Sequence, residues 1–171
     1  MHYLDKFKYC PVCGSPRFEE HDFKSKRCAD CGFTYYFNSA AAVVAIIVNE
    51  KGEMLVGRRG EEPAKGTLDL IGGFADCGDG AEDAMRREIK EEIGIEVGEM
   101  TYLFSFPNTY LYSGLLVHTT DMFFLVRVDS SVAIEAHDDV AACWWVRPED
   151  IVLDDFGLDS IRKGVKTYLN L

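Results

Sequence analysis

Gly72-Gly73-Phe74-Ala75-Asp76-Cys77-Gly78-Asp79-Gly80-Ala81-Glu82-Asp83-Ala84-Met85-Arg86-Arg87-Glu88-Ile89-Lys90-Glu91-Glu92-Ile93-Gly94-Ile95 runs from a glycine-rich loop into one amphipathic segment. Its spacing predicts a helix over Ala81–Ile93 that stops at Gly94, with Asp79 available as the N-terminal cap. At about 100° per residue, Glu88, Glu91 and Glu92 share one side while Met85, Ile89 and Ile93 share the adjacent side. One face packs and the other presents carboxylates. A merely solvated acidic face would cost only about 0.2–0.5 kcal/mol per like-charge pair, so repulsion alone does not mark a site. The preceding glycines do more, because they allow close backbone approach and free carbonyl ligands. Hard oxygen donors beside such a loop suit Mg²⁺ or Mn²⁺, which in turn neutralise phosphate oxygens and acidify water.

Strand signals surround this unit. Ala41–Val48 and Met54–Arg58, joined by Asn49-Glu50-Lys51-Gly52, read as a hairpin. Thr67–Leu70 and Phe74-Ala75 read as short strands, and Tyr102–Phe106, Asp121–Val128 and Cys143–Val146 as further ones. Leu158, Ile161, Val165, Tyr168 and Leu169 mark one face of a terminal helix, with Asp154 or Asp155 as its cap. Residues 38–171 therefore form one α/β domain.

The first 37 residues differ in kind. Cys10-Pro11-Val12-Cys13-Gly14 and Cys28-Ala29-Asp30-Cys31-Gly32 are two Cys-x-x-Cys pairs with 14 residues between them. Each glycine permits the positive φ of a tight knuckle, and four thiolates complete a closed tetrahedral shell, so a structural zinc at Cys10, Cys13, Cys28 and Cys31 is expected. Residues 1–37 are read as a zinc ribbon whose folding energy comes largely from the metal. Its near-zero charge and lack of a basic stripe fit a spacer, dimerisation or substrate-capping role as well as nucleic-acid contact.

Charge narrows the function classes. Of 18 Lys/Arg and 29 Asp/Glu, residues 1–37 hold 6 and 5, leaving 12 against 24 beyond them. So acidic a surface repels nucleic acid and anionic membranes, and a protein of this charge that handles phosphates recruits divalent metal. The longest apolar run, Ala40–Val48, is under half of the roughly 20 residues a bilayer crossing requires, and no basic-then-apolar leader is present. The expectation is a cytoplasmic protein, compatible with a homodimer.

The helix segment resembles a known signature. Gly73-x5-Asp79-x7-Arg87-Glu88-Ile89-x-Glu91-Glu92-x-Gly94-Ile95 looks like the Nudix box, G-x5-E-x7-R-E-U-x-E-E-x-G-U with U aliphatic, and departs at one fixed position, where Asp79 replaces Glu. The resemblance continues in order along residues 40–155. It implies a Nudix-type mixed-sheet α/β/α sandwich behind the ribbon. It also implies that Glu88, Glu91 and Glu92 with the Gly73 carbonyl bind catalytic Mg²⁺ or Mn²⁺, that Arg87 orients the glutamates, and that Arg58 or Arg59 meets a substrate phosphate. A further acidic ligand is placed best at Asp139, counting back from Trp145-Val146, with Asp138 and Glu135 close behind. The water-activating base is Glu91 or Glu92 or, as in parts of the family, a loop acid, here Asp138 or Asp139.

A ribbon before a Nudix box is similar to the NADH pyrophosphatase branch, whose specificity motif S-Q-P-W-P-F-P-x-S follows the box. Here Ser105-Phe106-Pro107-Asn108-Thr109-Tyr110-Leu111-Tyr112 keeps only the Ser and the first Pro. Phe106, Tyr110 and Tyr112 can stack on a base and Asn108 can bond its edge, or the segment is a core strand's exit. The reaction implied is metal-dependent hydrolysis of the diphosphate in a nucleoside diphosphate linked to another moiety. ADP-ribose or another NDP-sugar comes first, NAD(H) second, and oxidised nucleoside triphosphates or capped RNA third. A ligand-sensing or nucleic-acid-binding regulator on the same fold would be expected to lose box carboxylates and gain basic surface, and this chain does neither.

Overall fold

The computed structural model describes residues 2–137 and 139–171. A small antiparallel sheet comes first, in the order β1 (Phe18–Asp22), β2 (Ser25–Cys28), β3 (Thr34–Tyr36). Its cysteine knuckles are closed by Gly14 N–H to the Cys10 carbonyl at 2.9 Å and Gly32 N–H to the Cys28 carbonyl at 3.0 Å, with both glycines at positive φ.

The larger sheet is built around β4 (Ala40–Val48), a nine-residue strand whose side chains alternate between two cores. Val43, Ala45 and Ile47 face α1 (Ala81–Ile93), packing with Met85, Ile89 and Ile93. Val44, Ile46 and Val48 face α2 (Asp159–Tyr168), packing with Phe123, Ile161 and Val165. A strand buried on both faces reads as a continuous apolar run, which is how Ala40–Val48 looks in sequence. The result is an α/β/α sandwich with a mixed sheet in the order β10-β5-β4-β9-β8, where β5 is Met54–Arg59, β8 Met100–Tyr112, β9 Leu115–Arg127 and β10 Val140–Val146. β4 and β9 run parallel, and β6 (Leu68–Asp69) and β7 (Ile71–Phe74) pair with β5 and β4.

Three local expectations are corrected. The β4–β5 hairpin pairs only at Val48 with Met54, because β7 inserts antiparallel beside Ala42–Ala45 and β5 turns away to β6 and β10. β8 and β9 are 13 residues each and form one long hairpin paired from Met100–Val126 to Tyr112–Leu115, well beyond the Tyr102–Phe106 and Asp121–Val128 segments that apolar content marks. Pro107 is tolerated inside β8 because β8 lies at the sheet edge. The helix caps also differ: Leu158 rather than Asp154 or Asp155 precedes α2, and Gly80 rather than Asp79 precedes α1, neither with a side-chain cap bond. Asp154 and Asp155 sit in a separate 3₁₀ turn, Leu153–Asp155.

The ribbon rests on the tip of this hairpin. Tyr3 stacks on Phe37 at 5.3 Å, both meet the His118 ring edge-on, and Lys6 Nζ donates to the Gly114 carbonyl.

Candidate active site

A cavity of about 360 Å³ opens between β4, β5, β7, the β8–β9 hairpin and the end of α1. Its corner at α1 depends on glycine. Gly72 has φ 155°, and a Cβ there would lie 2.1 Å from the Val43 carbonyl oxygen; a Cβ on Gly73 would lie 2.6 Å from a Glu88 carboxylate oxygen. Only glycines let β7 press against β4 while the α1 carboxylates reach over it.

Glu92 is the most enclosed of the three box glutamates, only 7% exposed. It sits at the margin of the packing face with one oxygen accepting the Gly72 N–H at 3.0 Å. Burial pushes its pKa up to about 8, against the Gly72 hydrogen bond and with help from the neighbouring Glu88, Asp69 and Asp139 charges. Glu88 is also raised by burial, with Arg87 opposing. Arg87 is the organiser: its guanidinium bonds Glu88 at 2.7 Å, Glu91 at 3.0 Å, the Phe74 carbonyl at 2.9 Å and Asp79 at 3.3 Å. Asp79, one methylene shorter than the glutamate of the signature, therefore still reaches Arg87.

Among the described residues, the carboxylate oxygens of Glu88, Glu91 and Glu92 do not converge as tightly as the cysteine thiols do. Glu92 lines the cavity, Glu88 lies against Gly73, and Glu91 is half-exposed on Arg87. Asp139 lines the same cavity. Its loop is tied to the end of α1 by His137 N–H to the Glu92 carbonyl at 2.8 Å, and to the end of β5 by Gly60 N–H to the Asp139 carbonyl at 2.7 Å. Glu135 is exposed and faces His137 at 3.7 Å, away from the cavity lining. Asp138 lies outside the described residues.

The remaining candidates separate. Arg59 is in the cavity wall, ion-paired with the half-buried Asp69 and donating to the Pro63 carbonyl. Arg58 is exposed, bonds the Gly66 carbonyl at 2.7 Å and lies 5.4 Å from the Trp144 ring. Trp145 packs into the α1-side core. Asn108 and Tyr110 line the cavity, with the Tyr110 ring 6.4 Å from Phe74. Phe106 does not line it: its ring packs on Phe104 and Phe123 in the α2-side core, at 5.4 and 6.0 Å, so the structure gives it a core place rather than a stacking one. Asp69 and Asp121, both lining the cavity, escaped sequence reasoning, since each is a lone acid in a strand without a motif around it.

The four cysteine sulfurs all lie within 4.8 Å of one another. The pairs Cys10–Cys31 and Cys13–Cys28 are 3.7 and 3.6 Å apart. No disulfide joins them, and the spacing approaches the ~3.8 Å edge of a tetrahedron with metal–sulfur bonds of ~2.3 Å.

Residues 38–167 match the NUDIX domain model. The chain belongs to the NUDIX family. Among curated NUDIX relatives it is 30% identical over 117 residues to the NAD-capped RNA hydrolase NudC of Deinococcus radiodurans, covering 67% of this chain and 41% of that one. It is also 30% identical over 115 residues to a mitochondrial NAD(P)H pyrophosphatase of Mus musculus, covering 65% and 32%. The chain thus matches less than half the length of these relatives. A NUDIX hydrolase structure from Nitrosomonas europaea superposes with a TM-score of 0.73 at 18% identity, over 95% of this chain and 90% of that one. No helix among the described residues is long and apolar enough to cross a membrane.

Proposed function

We propose that the chain is a metal-dependent pyrophosphohydrolase that cleaves the diphosphate of a nucleoside diphosphate linked to another moiety, the class that includes ADP-ribose and NDP-sugars. The observation that carries this is the position of Glu92: a buried carboxylate on the catalytic helix that opens into the same cavity as Arg59, Asn108 and Tyr110. Burial keeps Glu92 proton-loaded near neutrality, and an oxygen-seeking dication is what such a site accepts in the proton's place. Glu88, Glu91 and Glu92, with the Gly73 carbonyl and Asp139, would hold Mg²⁺ or Mn²⁺. When bound, the ion supplies charge neutralisation of the diphosphate and acidification of a water.

The chain's own residues supply the rest. Arg87 holds Glu88 and Glu91 in place against their mutual repulsion. The proton of the attacking water would go to whichever acid is not engaged on the ion, Glu91 or the loop acid Asp139, whose loop is fixed to the end of α1 through the His137 amide. Arg58 at the cavity rim meets a phosphate oxygen, and the aromatic end of the cavity takes the base. A second reading, cleavage of NAD(H) or of an NAD cap on RNA, is favoured by the names of the curated relatives. In the ribbon, Cys10, Cys13, Cys28 and Cys31 hold a structural zinc: metal content should be near one zinc per chain and fall away in Cys28→Ser/Cys31→Ser.

The test is ³¹P NMR of the protein with Mg²⁺ or Mn²⁺ in ¹⁸O-labelled water, against ADP-ribose, NDP-sugars, NAD⁺, NADH and an NAD-capped oligonucleotide. Cleavage of an NDP-sugar with label on one phosphate supports the first reading. Cleavage confined to the nicotinamide compounds supports the second, and no cleavage of any compound overturns both.

A further inference from the structure

The cavity wall contains a second buried carboxylate, one for which hydrolysis has no use. Asp121, on β9, is 4% exposed and lines the cavity. The face that β8 and β9 turn toward α2 is apolar at Phe104, Phe106 and Phe123, then becomes polar at Asp121, Thr119 and Asn108, the last paired across the ladder with Thr119. Thr119 Oγ1 donates to Asp121 Oδ1 at 2.5 Å, and the hydroxyl of Ser160, in the first turn of α2, donates to Oδ2. Among the described residues Asp121 forms no ion pair; the guanidinium in this wall, Arg59, is committed to Asp69. A carboxylate offers about four lone-pair sites, and the two hydroxyls fill half of them. Buried polar atoms with hydrogen-bonding capacity left unfilled are costly, and apolar side chains would pack the same space without that cost. The unfilled acceptor sites therefore point to donors brought by a ligand.

The neighbours say which donors. Asn108 is 7% exposed, and its Oδ1 accepts the Thr109 amide at 2.9 Å, which leaves its NH₂ to donate. Phe74 and Tyr110 add aromatic surface suited to a planar ring. We propose that Asp121 is a specificity-determining residue that reads the paired ring N–H and amino donors of guanine, with the Asn108 amide donating to the adjacent base carbonyl. Adenine offers a ring-nitrogen lone pair on that edge, which the carboxylate repels, and hypoxanthine keeps the ring N–H but loses the amino donor. This rests on the pyrophosphohydrolase reading and moves its base from adenine to guanine within the NDP-sugar class.

The test is calorimetric titration of the zinc-loaded chain with GMP, IMP and AMP in Mg²⁺ buffer. It requires no turnover, so failure of the base preference and failure of the hydrolysis reading are told apart. GMP is expected to bind about tenfold tighter than IMP and roughly a hundredfold tighter than AMP. Asp121→Asn should bring the three within about threefold of one another. Thr119→Val, which loosens the carboxylate without removing it, should reduce the GMP preference part-way and covers the case in which Asp121→Asn does not fold. AMP binding as tightly as GMP would overturn the proposal. So would an equal loss for all three ligands in a normally melting Asp121→Asn, or a larger loss on removing the 2′-hydroxyl of GMP than on removing its amino group.

Discussion

Glu92 and Asp121 are both acids nine-tenths or more buried, and they line one cavity. Their surroundings differ in kind. Glu92 has one backbone N–H and three carboxylates near it, so each neighbouring anion adds to the cost of its own charge. Asp121 has two hydroxyls turned onto it, one per oxygen. A crowded acid is completed by a cation and a hydroxyl-bonded acid by neutral donors, so in the proposed reading one cavity carries a metal end and a base end.

The largest expected effect lies at the metal end. Glu92→Gln keeps the shape and the Gly72 hydrogen bond but removes the charge, and turnover on the cleaved substrate should fall by about 10²–10⁴-fold with no loss of melting temperature. Near wild-type turnover would remove Glu92 from the proposed metal site and leave the two acids with no difference in role.

Gly72→Ala addresses what holds that end in place. A methyl 2.1 Å from the Val43 carbonyl forces β7 away from β4, and overpacking of this kind costs about 3 kcal/mol. Thermal melting should show a drop of roughly 6–12 °C for a domain of this size. Gly98→Ala, where an added Cβ meets nothing within 4 Å, is the matched control. Equal melting of the two variants would show that the close approach of β7 to β4 is not required.

Next in size is a pH effect. The Glu92 pKa rises from 4.5 to about 8 on folding, so between these values the native state binds more protons than the unfolded one. In buffer without added Mg²⁺ or Mn²⁺, Glu92 thus costs stability as pH climbs from about 5 to about 8. The stability difference between Glu92→Gln and wild type should widen in favour of the variant over that window, and added Mg²⁺ should narrow it. A difference that stays flat with pH would mean that Glu92 ionises as freely as an exposed glutamate.

The two ends also differ in how well the sequence reveals them. The proposed metal end is local: Gly72, Arg87, Glu88, Glu91 and Glu92 lie within one loop and one helix, so helical spacing alone puts the carboxylates on one side of the helix, and α1 spans Ala81–Ile93 as the periodicity predicts. Even there, the burial of Glu92 was not visible, because it arises from β7 packing beneath the helix end. The base end is assembled from β8, β9 and α2, through a hairpin register that no single residue announces. Asp121 reads as one acid before an apolar strand, and Phe106 reads as a stacking residue although its place on the β8–β9 ladder sends it to the core. The cysteines are legible for the same reason as the helix: knuckle chemistry is written in four-residue units.

Tyr110→Ala is the finest discriminator of the two ends. The ring lies in the cavity 6.4 Å from Phe74, on the strand that carries Asn108. Aromatic stacking on a base is worth about 1–3 kcal/mol, so the variant should raise KM by roughly tenfold while kcat stays within about twofold. That split is the signature of an interaction made equally in ground and transition states, as expected of a wall that grips the base and leaves the phosphates alone. A fall in kcat at unchanged KM would place Tyr110 with the reacting phosphate instead, and the division of the cavity into a metal end and a base end would not hold.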